Sequence, residues 1–311
     1  LNLEEIKKEL ENKKNLKVAF HSDADGIGSL SLAKCVLDIK EINSPDIFGD
    51  YEEEDLSLDL GPPISKNFKG IVIDHHVHEN PYYPLIHDVV PTGLIVYNLW
   101  KDKIPKEESW KVVISLVGDG QPELIPNEIF ELHPYLLQKR GNIYKTYSKI
   151  NIYDYPIYLM LSSPINSMCR TGNIIPAVKL VTRAKDPLDI LESEIAKNDI
   201  LLVSKEEDRI FQDYKEINVL NDYCLFYSFR SKFKMCGRIA GKLQNQDRNR
   251  TYIVLNEENG AISIRGYLAS FIGSKLKESG FTCGGHAGFW GGHLLENQTS
   301  RDLLNTLRCI L

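Results

Sequence analysis

No two of the six cysteines (Cys35, Cys169, Cys224, Cys236, Cys283, Cys309) stand in a CxxC pair. That absence argues against a structural zinc site and against a disulfide framework, and it fits a reducing cytoplasm. No apolar run approaches the ~18–20 residues that a membrane span requires, so no membrane partner is expected. The start, Leu1-Asn2-Leu3-Glu4-Glu5, reads as the opening of an amphipathic helix and lacks the charged-then-apolar layout of a secretion signal. A cytoplasmic location is expected. Excess positive charge is missing too: the formal net charge is −6, so no global basic field advertises a nucleic-acid partner. Repeats and low-complexity segments are absent. What is present, 311 residues at 42% hydrophobic and 26% charged, describes a globular chain long enough for two domains.

Charge is distributed less evenly than its sum. Between Phe226 and Arg250 lie Arg230, Lys232, Lys234, Arg238, Lys242, Arg248 and Arg250 against Asp247 alone, a local balance of +6. Such a stretch is either a solvated face or a footprint for phosphates.

Residues 3–14 read as a helix and Leu16–Phe20 as a strand, and Ile27–Ile39 has helical apolar spacing. Asp46–Phe48, Leu56–Leu58 and Ile71–Ile73 read as further strands, followed by helices over Gly93–Lys101 and Ser109–Val117. Short strands alternating with helices imply an α/β domain with a mainly parallel sheet flanked by helices. A helical section follows from about Ile125 to Leu191, then a charged helix over Glu192–Lys215. Strands Cys224–Phe229, Tyr252–Leu255 and Ala261–Arg265, with helical pieces around Ile239–Leu243 and Leu268–Ser279, suggest a smaller α/β domain. The expected division is 1–190, a linker helix over 191–217, and 218–311.

Four strand ends supply acids or histidines. They are His21-Ser22-Asp23-Ala24-Asp25-Gly26 after Leu16–Phe20, Asp59-Leu60-Gly61-Pro62 after Leu56–Leu58, Asp74-His75-His76 after Ile71–Ile73, and Gly118-Asp119-Gly120 after Val112–Val117. The last run also suits a helix. Singly, each has a plain reading as a helix cap or a turn. Together they gather at the carboxyl edge of a parallel sheet, where ligands bind. Carboxylates crowded there repel and are costly to desolvate unless cations compensate them. Mixed imidazole and carboxylate donors suit manganese, zinc or iron better than calcium. Two divalent ions bridged by one carboxylate form the usual clamp for phosphoryl transfer.

These residues, His21-x-Asp23-x-Asp25-Gly26, Asp59, Asp74-His75-His76 and Asp119, resemble the four ordered motifs of the DHH phosphoesterase superfamily. Toward the C-terminus, Ser263-Ile264-Arg265 and Cys283-Gly284-Gly285-His286-Ala287-Gly288 resemble the S-x-R and G-G-G-H elements of the DHH-associated domain. Pro164-Ile165-Asn166-Ser167-Met168-Cys169-Arg170 is similar to the P-x-x-N-A-x-G-R element of RecJ-type exonucleases, with Ser167 and Cys169 in place of Ala and Gly. Its plain reading is a loop between helices. The chain is short beside bacterial RecJ and closer in size to compact archaeal relatives. It departs from the glycine-rich pattern at Cys283 and at Phe289-Trp290. Those two rings either pack in the core, the favoured reading, or offer a surface on which a base stacks.

The resemblance implies two divalent ions, manganese first with magnesium or cobalt as alternatives. One is held by His21, Asp23 and Asp59, the second by Asp25, Asp59, His75 and Asp119. Asp74 orients His75 or supports the ligands by hydrogen bonding, and His76 faces the scissile phosphate. Asp25, Asp74 and His76 make the expected catalytic group. Asn166, Arg170, Ser263, Arg265, Gly284, Gly285 and His286 are the expected substrate contacts, the last five reaching the substrate from the second domain. The implied activity is removal of nucleotides from an end of single-stranded DNA or RNA. The alternatives are a phosphodiesterase for very short oligonucleotides (nanoRNase-like) or cyclic dinucleotides, and a non-catalytic scaffold with a replication or repair protein as partner.

Overall fold

The computed structural model describes residues 2–45, 51–63, 65–78, 81–140, 155–212, 218–286 and 288–311. They divide into two compact units, Leu1–Leu201 and Leu202–Leu311. In the first, α1 (Leu3–Asn12) leads into β1 (Leu16–Phe20), α2 (Ala24–Ala33), β2 (Ile39–Asn43), β3 (Leu56–Leu58), β4 (Ile71–Asp74) and β5 (Leu85–His87). Helices α3 (Thr92–Trp100), α4 (Val112–Gly118) and α5 (Asn127–Leu132) follow. A short ribbon of β6 (Lys139–Arg140) and β7 (Tyr155–Pro156) precedes α6 (Ile157–Met160), α7 (Ser162–Thr171), α8 (Ile174–Arg183) and α9 (Pro187–Leu191). The long helix α10 (Glu194–Gln212) carries the division between the units, and its Val203 and Ile210 pack into the core of the second.

β1 to β5 pair in the order β2-β1-β3-β4-β5, every pair parallel. The chain leaves β1 to one side for β2 and returns to the other side for β3, so the strand order reverses between β1 and β3. Open parallel sheets bind ligands outside their carboxyl ends at such a point. His21 and Asp59 follow directly from those two strands. The His21 N–H donates to Leu58 O and the Asp59 N–H to Ile73 O, both at 3.1 Å, so the ladder fixes where the strand ends finish. β3 and β4 are buried at every residue, as strands covered on both faces are.

α2 is buried along all ten residues, which explains why its sequence lacks an amphipathic stripe. It starts at Ala24 because Asp23 caps it, its side chain accepting the Gly26 N–H at 2.9 Å. α3 and α4 approach closely where glycine permits. A Cβ on Gly93 would lie 2.0 Å from Ser115 Oγ, and one on Gly28 2.3 Å from the same atom. That tight packing brings the start of α3 and the end of α4 beside the start of α2.

The second unit contains β8 (Asn218–Asn221), β9 (Cys224–Phe229), α11 (Cys236–Gln246), β10 (Thr251–Asn256), β11 (Ala261–Arg265), α12 (Ala269–Glu278), β12 (Thr282–His286), β13 (Phe289–His293) and α13 (Ser300–Ile310). The strands form one mixed sheet in the order β12-β13-β11-β10-β9-β8, in which β9 and β10 are parallel and the other pairs antiparallel. Alternate residues face opposite cores. Ile253 and Leu255 of β10 pack with α12 and α13, and Tyr252 and Val254 with α11.

The expected α/β class is the observed one, with corrections at the element level. The helix expected over Ile27–Ile39 runs from Ala24 to Ala33, and Ile39 opens β2 instead. The strand expected over Asp46–Phe48 lies outside the described residues. Ser109–Val117 begins as a 3-10 turn over Lys106–Lys111 and becomes α-helical only from Val112. Asp119 therefore sits at the carboxyl end of a helix, not of a strand.

Candidate metal centre

Asp59 is the middle of the site. It is 2% exposed and has φ +63°, in the left-handed region that few residues other than glycine, asparagine and aspartate enter. Its Oδ1 lies 3.2 Å from His75 Nε2 and accepts from Thr92 Oγ1 at 3.1 Å. Its Oδ2 lies 3.5 Å from His21 Nδ1, which is itself 2.9 Å from Asp23 Oδ2. On the other side, His75 Nε2 is 3.4 Å from Asp119 Oδ2 and 4.0 Å from Asp25 Oδ2. A single buried carboxylate thus presents one oxygen to each of two donor groups.

Asp25 is buried at the first turn of α3. Its two oxygens accept the backbone N–H groups of Thr92 and Gly93, each at 2.8 Å, so the helix N-terminus offsets part of its charge. Burial, followed by neighbouring carboxylates, pushes Asp59 and Asp119 well above the ordinary carboxyl range and Asp25 above it. Burial would lower His21, but Asp23 and Asp59 outweigh it and raise the imidazole well above its usual value. Asp23 is held down: burial raises it, and His21 more than reverses the effect.

A divalent cation offsets this repulsion directly, and three donor groups have the geometry to take one. His21, Asp23 and Asp59 form the first, Asp25, His75 and Asp119 the second, and Asp59, Asp74, His75 and His76 a third; the ligand atoms within each lie within 4.8 Å of one another. Nitrogen and carboxylate donors together suit manganese, zinc or iron. The residues fit the group. A cation binds the deprotonated form of each of these donors, so its binding competes with the protons that burial and crowding favour on the acids.

Asp74 is fully buried and serves His76 more than the ring of His75. Its Oδ1 accepts the backbone N–H groups of His75 at 2.7 Å and His76 at 3.2 Å, and pairs with His76 Nδ1 at 2.7 Å. Its Oδ2 pairs with His78 Nε2 at 2.9 Å, and His78 Nδ1 with the Tyr83 hydroxyl at 2.7 Å. Burial alone would raise Asp74, but His76 and His78 hold it well below the usual range. A carboxylate only accepts, so both ring nitrogens facing it donate. His76 is thereby fixed with Nε2 pointing away from Asp74, and His78 is held on its other side by Tyr83.

His78, Tyr83 and Thr92 do not stand out in the sequence as site residues. His78 lies four residues past Asp74, within the same acid-and-histidine run, and Pro91-Thr92-Gly93 reads as a helix start. Both signals are present. Leucine at position 78 cannot donate to Asp74, whereas glutamine can. His78→Leu is therefore expected to lower turnover about 10–100-fold, the usual cost of losing a group that orients a site residue, and His78→Gln to retain most of it. Equal losses in the two variants, with equal melting temperatures, would show that His78 acts only as packing.

The element around Asn166 is helical, not a loop: Ser162–Thr171 is α7. Asn166 Oδ1 accepts the Ala24 N–H at 2.9 Å, between the two acids of the first motif. Arg170 is half-buried one turn further on. Ser263 and Arg265 lie on β11, and Gly284, Gly285 and His286 on β12. The glycine-rich segment is thus a strand of a hairpin with β13. Its two bulky neighbours part company: Trp290 packs against the core formed with α12, while Phe289 stays 43% exposed. The basic stretch is less free than its sum. Arg238 and Lys242 pair with the buried Glu207, Arg230 with Glu257 and Arg250 with Asp247.

No family model and no curated protein matches the sequence. Among solved structures, RecJ from Thermus thermophilus in complex with Mn2+ matches with a TM-score of 0.65 and 13% identity, over 99% of this chain and 53% of that one. This chain therefore spans about half the length of that protein. CDC45 from Entamoeba histolytica matches with a TM-score of 0.60 and 9% identity, over 99% of this chain and 98% of that one. A pGpG-specific phosphodiesterase from Vibrio cholerae matches with a TM-score of 0.50 and 17% identity, over 95% of this chain and 100% of that one. What such low identities share is architecture. The chain has the fold of these RecJ and DHH-domain structures, the architecture that its ordered motifs led one to expect.

Proposed function

We propose that the protein is a metal-dependent phosphodiesterase, manganese-dependent in the first instance, that removes nucleotides from an end of single-stranded DNA or RNA. The observation that carries this is Asp59, one buried carboxylate with an oxygen toward each of two donor groups. His21, Asp23 and Asp59 would hold one cation, and Asp25, Asp59, His75 and Asp119 the other. Bound there, the pair supplies Lewis acidity and a water of lowered pKa for attack on phosphorus. The chain's own groups do the rest. His76, which Asp74 raises above its usual value although burial alone would lower it, donates in its protonated form through Nε2 to the phosphate as negative charge develops. Asp74 keeps that ring in one orientation. Thr92 holds Asp59, and Asn166 holds the start of α2 at Ala24, between Asp23 and Asp25. Arg170, Ser263, Arg265 and the backbone of Gly284, Gly285 and His286 are the proposed contacts for the substrate's phosphates.

Pairing of Arg238 and Lys242 with Glu207 favours one competing reading, a hydrolase of very short oligonucleotides or cyclic dinucleotides, which needs no extended basic track. The scaffold reading requires no turnover at all. End-labelled DNA and RNA strands of two, five and twenty nucleotides, digested with Mn2+, Mg2+, Co2+ or chelator, separate the three. Stepwise shortening of the long strands with Mn2+ and none in chelator is the expected result. Cleavage confined to the dinucleotide would replace it with the competing hydrolase, and no turnover with any ion would leave the scaffold.

A further inference from the structure

One end of the second unit's sheet gathers exposed rings. Arg265 at the end of β11 is the register partner of Phe289 at the start of β13, which in turn pairs with His286 at the end of β12. Tyr252 of β10 pairs with Arg265, and Thr251 with Cys224 at the start of β9. Phe289, Arg265 to Tyr267, Arg250 and Tyr223 therefore share one sheet end, spread across β13, β11, β10 and β9. Phe271 joins them from the first turn of α12.

Among the described residues of this unit, the strongly exposed aromatics are Tyr223 and Tyr267 at 58%, Phe271 at 48% and Phe289 at 43%. All four are at this end. The aromatics further along β9 and β10, Phe226, Tyr227, Phe229 and Tyr252, are buried. Tyr223 and Tyr267 meet edge to face with centroids 6.4 Å apart, and the Arg265 guanidinium lies over the Phe289 ring at 4.3 Å. Arg248 and Arg250 are exposed in the turn leading into β10. Rings left in water forgo the gain from burial, and a cluster of them rimmed by arginines has the composition of a single-strand platform: faces for bases and cations for phosphates.

We propose that Tyr223 and Tyr267 stack the bases of a single-stranded nucleic acid whose terminal phosphate is held at Ser263 and Arg265. The strand crosses the ends of β11, β10 and β9, three neighbouring strands at about 4.8 Å spacing, with Arg248 and Arg250 meeting its backbone. This rests on the phosphodiesterase reading and narrows it. The preferred substrate is a strand of several nucleotides, because a dinucleotide held at Arg265 occupies only part of this row of rings and arginines.

The test uses the full chain with Tyr223 and Tyr267 both changed to Ala, and both changed to Phe as the conservative control. Binding of fluorescent twelve-residue oligo-dT and oligo-U is read by anisotropy in chelator, and dinucleotide cleavage is read separately with Mn2+. The Ala pair is expected to bind the twelve-mers at least tenfold more weakly, and the Phe pair within about twofold of wild type. Dinucleotide cleavage falls less than twelve-mer binding in the Ala pair and stays within about twofold in the Phe pair. A strand carrying 5-iodouracil a few nucleotides from its end is expected to photocrosslink to Tyr223 or Tyr267. Wild-type binding by the Ala pair, no twelve-mer binding by the wild type, or parallel loss of dinucleotide cleavage overturns the proposal. An interaction with a protein surface would then remain the use of the patch. Failure of the phosphodiesterase reading shows differently, as absence of cleavage with the tyrosine-dependent anisotropy intact.

Discussion

Asp59→Asn is expected to reduce metal-dependent hydrolysis by on the order of 10³-fold or more while making the metal-free protein more stable. Both effects follow from one carboxylate. Asn keeps the shape and tolerates φ +63°, so the backbone is undisturbed, whereas Ala would add strain there. What disappears is an anion that burial, Asp25 and Asp23 make costly. A carboxyl whose folded pKa is raised contributes its stability in full below its unfolded value and loses it as the pH climbs through the folded value. The contribution of Asp59 to the stability of the metal-free wild type should therefore fall from acid toward neutral pH, and Asp59→Asn should lack that fall. At pH 7.5 in chelator the variant should melt a few degrees higher; with saturating Mn2+ the order should reverse. Near-normal hydrolysis by the variant would remove Asp59 from the bridging position. Asp55, the other acid flanking β3, is no substitute, because it lies at the opposite end of the strand, bound to the Lys17 N–H and to Lys13.

The adjacent histidines should fail differently. His75 Nε2 lies among Asp25, Asp59 and Asp119, so His75→Ala is expected to weaken cation binding as well as turnover. His76 gives Nδ1 to Asp74, and the proposed phosphate contact falls to Nε2. His76→Ala should then bind cations as wild type does and lose roughly 10²–10³-fold in turnover, the cost of one charge-stabilising donor. The measurement is Mn2+ titration beside single-turnover kinetics. Loss of cation binding in the His76 variant would make it a ligand in the group with Asp59, Asp74 and His75, and the roles would have to be reassigned.

The first unit's sheet is largely legible in the sequence because its buried strands are continuous apolar runs, and each ends in a polar residue at the carboxyl edge. β2 and the three-residue β5 (Leu85–His87) are not. Ile39-Lys40-Glu41-Ile42-Asn43 is an edge strand with three of its five residues exposed, and it carries too few apolar positions to stand out. The helical Asn166 element reads as a loop because of Pro164, yet that proline sits in the first turn of α7, where proline is tolerated. Spacing places Asp74 beside His75, but the rings it contacts are those of His76 and His78, a matter of side-chain direction that distance along the chain does not encode. In the second unit, β12 and β13 do not show as strands. Cys283-Gly284-Gly285 and Gly291-Gly292 suggest turns, and it is cross-strand pairing that makes them extended.

Complete burial of α2 gives it a further property. With solvent at none of its faces, its amides open to hydrogen exchange chiefly when the first unit unfolds as a whole, whereas surface helices such as α1 fray locally. Asp23 and Asp25 stand at its N-terminus, so a cation gripped there is linked to a segment expected to exchange only with the unit's global unfolding. Ligand occupancy at the centre thereby becomes a uniform gain in protection along α2, and the floor of the site doubles as the gauge of the unit's global stability.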